Sequence, residues 1–325
     1  MRAISFPGEA RVDLVERPWP VPAPGELTLR VRRTALCGSD GKLWRKGAAH
    51  VPGHEVFGVI DARGQRRDGE RALAYIPVHC GHCASCVAGD THTCESESTL
   101  VGWNRDGGYA EALAVPEQCL LPVPDDIPDD LAPLLLDTIG TASHAIRLAL
   151  PVLRDLRRAR ILITGAGPVG LGGLIALQDL GAADVSVADP RPLRRELASS
   201  FGARLHPVGD LSQRFDLVLE SSGAIAARDQ ALQVVAAQGV VLWVGESDEP
   251  WTIHETRPIR RKDFFLVRSF YFPKRDHEAN VTLLRRRRDD YARLVDRVFD
   301  LADMPVEFPR FMAGGSIKPL MRAGA

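Results

Sequence analysis

The stretch RILIT, then Gly165-Ala166-Gly167-Pro168-Val169-Gly170, then LGGLIALQDLGA limits the architecture more than any other part of the chain. The short apolar run reads as a buried strand, and the longer apolar run after the glycines reads as a helix. A glycine-rich turn between the two allows a tight reversal, a close backbone approach to a bound group and close packing of helix on strand. The first N–H groups of the helix then face an anion such as the pyrophosphate of a dinucleotide. Gly165, Gly167, Pro168, Val169 and Gly170 are therefore candidate cofactor-binding residues.

From Arg160 to about Phe272, apolar segments (DVSVAD, FDLVLE, GVVLWVG, FFLVRSFYF) alternate with helical patterns (PLRRELASSFG, ARDQALQVVAA). Such alternation predicts βαβ units and a buried parallel sheet, an α/β fold of the Rossmann doubly wound kind. Asp189 ends DVSVAD, 19 residues beyond Gly170. A carboxylate there accepts hydrogen bonds from ribose hydroxyls and repels a 2′-phosphate, so NAD is expected rather than NADP. Arg194 joins the cofactor-binding candidates, because with Arg191 and Arg195 it stands close enough to soften that preference.

The first 130 residues read differently. Gly and Pro break them into short alternating runs such as ELTLRVRRTA and EVFGVIDA, which predicts a β-rich domain with functional loops. At 325 residues the chain exceeds what one core usually serves. Four of its six cysteines fall in Cys80-x2-Cys83-x2-Cys86-x7-Cys94, separated by small or polar residues that let a loop wrap a tetrahedral ion. Four thiolates fill the coordination sphere of zinc, so this site is expected to be structural.

A net charge of −1 gives nothing for nucleic acid to grip, which argues against a zinc-ribbon nucleic-acid binder. The start MRAISFPGEARVDLVERPWP has no apolar core of a signal, and no run reaches the roughly 18 apolar residues of a membrane span, so a cytoplasmic protein without membrane contact is expected. After VPDDIPDD, the segment LAPLLLDTIGTASHAIRLAL predicts a helix bridging two domains. The C-terminal part reads as helical, with Arg285 to Arg288 on a solvated face, and then as broken by Pro305 and Pro309. An apolar last strand, FFLVRSFYF, would leave an open sheet edge, which suggests a homodimer or homotetramer.

Cys37 lies in ALCGSD and His54 in VPGHEVFG, both beside glycines; singly, either could be a core residue or a turn histidine. Taken with the cysteine lobe, the dinucleotide turn, DGGYAEALAVPEQCLLPVPDDI and DPRPLRRELASSFGA, in this order, they carry a resemblance over nearly the whole chain. The sequence resembles the zinc-containing medium-chain dehydrogenase/reductase family, which includes alcohol, sorbitol and threonine dehydrogenases.

That resemblance implies a GroES-like catalytic domain over 1–140, a Rossmann domain over 141–272, and a segment 273–325 returning to the catalytic domain. It implies two zinc ions per chain, the second being a catalytic zinc on Cys37, His54 and, from the bridging helix, Asp137. The alternative for Asp137 as a bare residue is an N-cap of that helix. Three protein ligands leave an open position for an alcohol oxygen. By the same resemblance Ser39 would bond the substrate oxygen and start a proton relay, Glu55 would stand beside the metal, and Asp40 would be a structural partner.

The expected activity is hydride transfer from a small secondary alcohol or polyol to NAD, with a cyclitol or aminocyclitol favoured by polar rim candidates Lys42, Trp44, Asn104 and Arg105. Alternatives are a zinc-independent quinone or enoyl reductase on the same scaffold and a catalytically silent NAD-binding regulator. Lys42 stands where a relay histidine is common, the stretch from Glu55 to Cys80 is short, and LVRSFYF lacks the usual glycine.

Overall fold

The alternation after Arg160 is realised as six parallel strands in the order Arg204–Leu205, Asp184–Ala188, Arg160–Thr164, Phe215–Glu220, Val235–Trp243 and Phe265–Arg268. The computed structural model describes residues 1–64 and 66–324. Ile161, Leu162, Ile163, Leu217, Val218 and Leu219 are all fully buried, so these runs are apolar on both faces rather than alternating. The winding reverses between Arg160–Thr164 and Phe215–Glu220, and the crevice beyond the carboxyl ends of strands at such a reversal is where open α/β sheets receive ligands.

The chain divides into two compact units: Met1–Leu136, Pro273–Glu278 and the chain from Ala292 onward form one, and Asp137–Phe272 with Ala279–Tyr291 the other. In the first, the sheet runs Val298–Asp300, Leu320–Arg322, Glu26–Ala35, Glu55–Asp61, Arg71–Ala74, Leu120–Pro122, and Ala112–Pro116 also pairs with Glu26–Ala35. Among the described residues no helix is long and apolar enough to cross a membrane.

Two local expectations are corrected. The bridging segment is not one helix but a 3-10 turn Ala132–Leu135, a π turn Asp137–Thr141 and an α-helix Ala142–Ala149. Thr138, Ile139, Gly140 and Thr141 are poor α-formers in succession. The prolines near the C-terminus do not end a helix but lie in one, Met304–Met312. Pro305 occupies the first turn, where its missing N–H has no partner to lose, and buried Met304, Phe308 and Phe311 hold the helix through Pro309.

Candidate active site

Strand pairing explains why two residues 17 apart in sequence meet. Ala35 is opposite Glu55 in the antiparallel pair of Glu26–Ala35 and Glu55–Asp61. Cys37 lies just past the end of the first strand and His54 just before the start of the second, so both project from the same end of the pair. The chain between Cys37 and the next helix makes a 3-10 turn, Gly38–Asp40, that turns Asp40 inward.

Asp40 is 0% exposed, and its carboxylate has two donors: His54 Nδ1 at 2.9 Å and the Tyr109 hydroxyl at 2.6 Å. Burial, and then the Asp40 charge, push the Tyr109 phenol well above its usual range, so it stays a donor. With Nδ1–H given to a carboxylate, His54 presents the lone pair of Nε2 outward, the orientation a metal-binding histidine needs. Ser39 Oγ donates to Cys37 Sγ at 3.2 Å. Glu55 pairs with the ammonium of Lys318, which also donates to the Leu36 carbonyl at 3.2 Å; both charged groups are essentially unexposed.

Asp137 follows directly on Leu136, the last residue of the first unit's opening segment. Cys37, His54, Glu55 and Asp137 each offer one donor atom, and these four atoms lie within 4.8 Å of one another. Thr141 Oγ1 donates to Asp137 Oδ1 at 3.3 Å across the π turn. A sulfur, an imidazole nitrogen and carboxylate oxygens converging on one point suit zinc.

Sequence reading missed Tyr109 and Lys318 and undervalued Asp40. Asp40 and Tyr109 lay within the quoted motifs; Lys318, 263 residues from Glu55, left no local signal. Three of the four rim candidates have partners of their own. Asn104 closes its own turn onto Leu100 and Ser98, and Arg105 pairs with Glu26 and the Ala114 carbonyl. Trp44 packs on Phe308 at 5.6 Å. Trp103 borders the cluster, its ring 5.6 Å from that of His54, with the ammonium of the fourth candidate, Lys42, 6.0 Å from the indole centre.

The four sulfurs of Cys80, Cys83, Cys86 and Cys94 also lie within 4.8 Å of one another, and all six cysteines of the chain are free. The N–H groups of His82 and Cys83 point at Cys80 Sγ from 3.4 and 3.3 Å, and pull its thiol down to about 6. Burial pushes Cys86 up to about 12. Only a dication would let all four carry charge together, so the set fits a closed zinc site. Arg275 braces this lobe through the Ala88 carbonyl and Asp90.

In the second unit, Gly165 has φ +91°, and a Cβ on Gly170 would stand 2.0 Å from the Gly165 carbonyl oxygen, so neither position admits a side chain. The helix Pro168–Asp179 begins with proline at its first turn. Asp189 accepts the N–H groups of Ala166 and Arg191, each at 2.8 Å, and is 2% exposed. Arg194 is not solvent-facing: its Nη1 lies 3.8 Å from Asp189 and would be 3.6 Å from a Cβ on Gly167. The bare turn, its helix N-terminus and the carboxylate behind them form a cradle that fits a dinucleotide.

Residues 23–125 match the alcohol dehydrogenase GroES-like domain. Among curated proteins, the L-threonine 3-dehydrogenase of Mesorhizobium japonicum is 33% identical over 262 residues, 73% of this chain and 74% of that protein. The L-threonine 3-dehydrogenase of Shewanella loihica is 34% identical over 270 residues, 75% of this chain and 77% of that one. Among solved structures, the alcohol dehydrogenase TADH from Thermus sp. ATN1 superposes with a TM-score of 0.87 at 27% identity, covering 99% of both chains. The chain belongs to the zinc-dependent medium-chain dehydrogenase/reductase family, oxidoreductases built on a GroES-like and a Rossmann domain that use zinc and a nicotinamide cofactor on alcohol-type substrates.

Proposed function

We propose that this protein oxidises a small secondary alcohol or polyol, with NAD as hydride acceptor and a catalytic zinc on Cys37, His54 and Asp137. The observation that carries the reading is the convergence of those three donors with the His54 ring already oriented by Asp40. When bound, zinc would polarise the alcohol oxygen and the nicotinamide would take the hydride. Ser39, whose hydroxyl donates to Cys37 Sγ, would hydrogen-bond the alcohol oxygen and pass its own proton onward as it takes the alcohol's, the first link of a relay. Glu55, neutralised by Lys318, would stay in reserve beside the ligands. We assign the catalytic role to the unit of Met1–Leu136, Pro273–Glu278 and the chain from Ala292 onward, and cofactor binding to Asp137–Phe272 with Ala279–Tyr291; of the segment 273–325 expected to return to the catalytic domain, Ala279–Tyr291 packs with the cofactor unit instead.

Two features support a hydroxylated substrate. The L-threonine 3-dehydrogenases are named for oxidation at a carbon bearing a secondary hydroxyl. The flat indole of Trp103 beside His54, with the Lys42 ammonium over it, suits a ring or chain rich in hydroxyls better than an alkyl tail. A cyclitol or aminocyclitol would fit this rim. The test combines elemental analysis, expected to find two zinc ions per chain, with a panel of cyclitols, polyols, L-threonine and simple alkanols followed by NADH absorbance. One zinc or none after gentle purification, or no turnover on any alcohol, would overturn the reading.

Asp189 should make NAD the better cofactor, since a 2′-phosphate would meet its carboxylate, and Asp189→Gly should narrow the gap in kcat/KM by about tenfold or more. Arg194 would then be left to pair with the phosphate. Wild-type preference for NADP would contradict this assignment.

The strand Phe265–Arg268 is the outer strand of its sheet and exposes Phe265 and Leu266 by 43% and 37%, with Phe270 beyond it at 43%. We expect two copies to pair along this edge, as a homodimer or within a homotetramer. A monomer in light scattering at micromolar concentration would refute it.

A further inference from the structure

Glu220 and Arg228 put two opposite charges out of reach of water at the sheet's reversal point. Glu220 ends the strand Phe215–Glu220 and is 0% exposed; Arg228, in the helix Ile225–Val234, is 3% exposed. Arg228 Nε lies 3.8 Å from Glu220 Oε2, and neither atom has a hydrogen-bond partner among the described residues. Arg228 Nη2 donates to the Gly245 carbonyl at 3.0 Å, and its guanidinium lies 4.4 Å from the Trp243 ring centre and 5.8 Å from that of Trp251. The other carboxylate oxygen, Oε1, accepts the N–H groups of Ser222 and Gly223 at 2.8 and 2.9 Å and the Ser222 hydroxyl at 2.6 Å.

A buried pair of this kind is a poor way to stabilise a core, where an apolar pair of similar volume does as well or better. What it does here is fix a loop. Residues 221–223 press on the dinucleotide turn: Ser221 Oγ donates to the Gly165 carbonyl at 2.7 Å, and a Cβ on Gly165 would stand 2.8 Å from Ser222. On the other side, a Cβ on Gly245 would stand 2.2 Å from Gly223 N. The turn, the loop and the segment at Gly245 therefore interlock without slack, with Glu220 holding the middle member and Arg228 tying it to the third.

We propose that Glu220 and Arg228 are positioning residues for the dinucleotide: the pair sets residues 221–223, and these set the turn at Gly165. The inference rests on the reading of that turn as the cofactor cradle. Neither residue is expected to touch the reacting atoms, so the effect should appear in cofactor affinity.

Arg228→Met alone would leave a buried carboxylate without a counter-ion and could fail to fold. The test is therefore the double variant Glu220→Gln with Arg228→Met, in which the Gln carbonyl still accepts the Ser222 and Gly223 N–H groups and Met fills the space beside Trp243 and Trp251. NADH is titrated against zinc-loaded protein by fluorescence, alongside Tm and zinc content. We expect Tm and zinc content near wild type with NADH bound about tenfold more weakly. Arg228→Lys, which keeps the charge but loses the planar stack and the Nη2 donor, should weaken NADH by a smaller factor at unchanged Tm.

A folded double variant with wild-type NADH affinity would overturn the proposal. If the double variant does not fold, wild-type affinity in Arg228→Lys would overturn it instead. Wild-type protein that binds no NADH would defeat the cofactor reading itself, a different result from variants that bind as wild type does.

Discussion

Cys37→Ser is expected to melt close to wild type and turn over no alcohol, whereas Cys80→Ser should melt far lower. The difference follows from what each sulfur closes. Cys80 belongs to a four-sulfur set in a lobe from Cys80 to Cys94 that has only the 3-10 turn Thr91–Thr93 and the short helix Ala84–Val87 as regular structure. With zinc bound, such a loop would owe much of its stability to the ion, and structural zinc sites bind with apparent free energies of about 10–16 kcal/mol in small zinc domains. Losing even ~4 kcal/mol of that lowers Tm by roughly 10 °C in a domain of this size.

Cys37, by contrast, sits on a strand end held by the pairing of Ala35 with Glu55, next to a fully buried Leu36. The fold there does not depend on a metal. Its loss removes one of three donors, and ~4 kcal/mol of lost transition-state stabilisation is about a thousandfold in kcat. Thermal melts, zinc content and NADH production of the two variants decide the matter. Equal destabilisation by both would defeat the separation of a structural from a catalytic site.

How much of this was legible beforehand depends on how local each signal was. The glycine turn announced its strand and helix because tight reversal, phosphate approach and helix packing all act within six residues, and the parallel sheet showed in apolar runs that do not alternate. The cysteine lobe was legible for the same reason. What sequence reading lost was long-range partnership. Lys318 reaches Glu55 only because Leu320–Arg322 pairs with Glu26–Ala35, and no spacing rule joins a C-terminal lysine to a carboxylate near the start. Arg105 reads from the sequence only as a polar rim candidate, and its pair with Glu26, 79 residues away, left no local signal. The π turn at Asp137 was missed because the apolar residues on either side keep helical spacing, although the run of poor α-formers Thr138–Thr141 was there to be read.

Asp137→Asn should retain the fold and NADH binding while losing the second zinc and most hydride transfer. The substitution keeps the size and the acceptor oxygen of the side chain but removes its negative charge, so it separates ligation from capping. As an N-cap, Asp137 would contribute about 1 kcal/mol, nearly all of which Asn preserves. The structure places it instead as the first residue of a π turn, with its oxygen among the Cys37, His54 and Glu55 donors and the Thr141 hydroxyl directed at it. A neutral amide oxygen binds zinc far less well than a carboxylate, and with two anionic ligands reduced to one, the remaining Cys37 and His54 make an incomplete set. Zinc content should therefore fall from two ions to one, and kcat by about a thousandfold or more, at near-normal Tm. If Asp137→Asn instead keeps both zinc ions and wild-type turnover, the third ligand must be Glu55. That outcome would require Glu55 to give up the Lys318 ammonium that now neutralises it, and Lys318→Met would then tighten zinc rather than leave it unchanged.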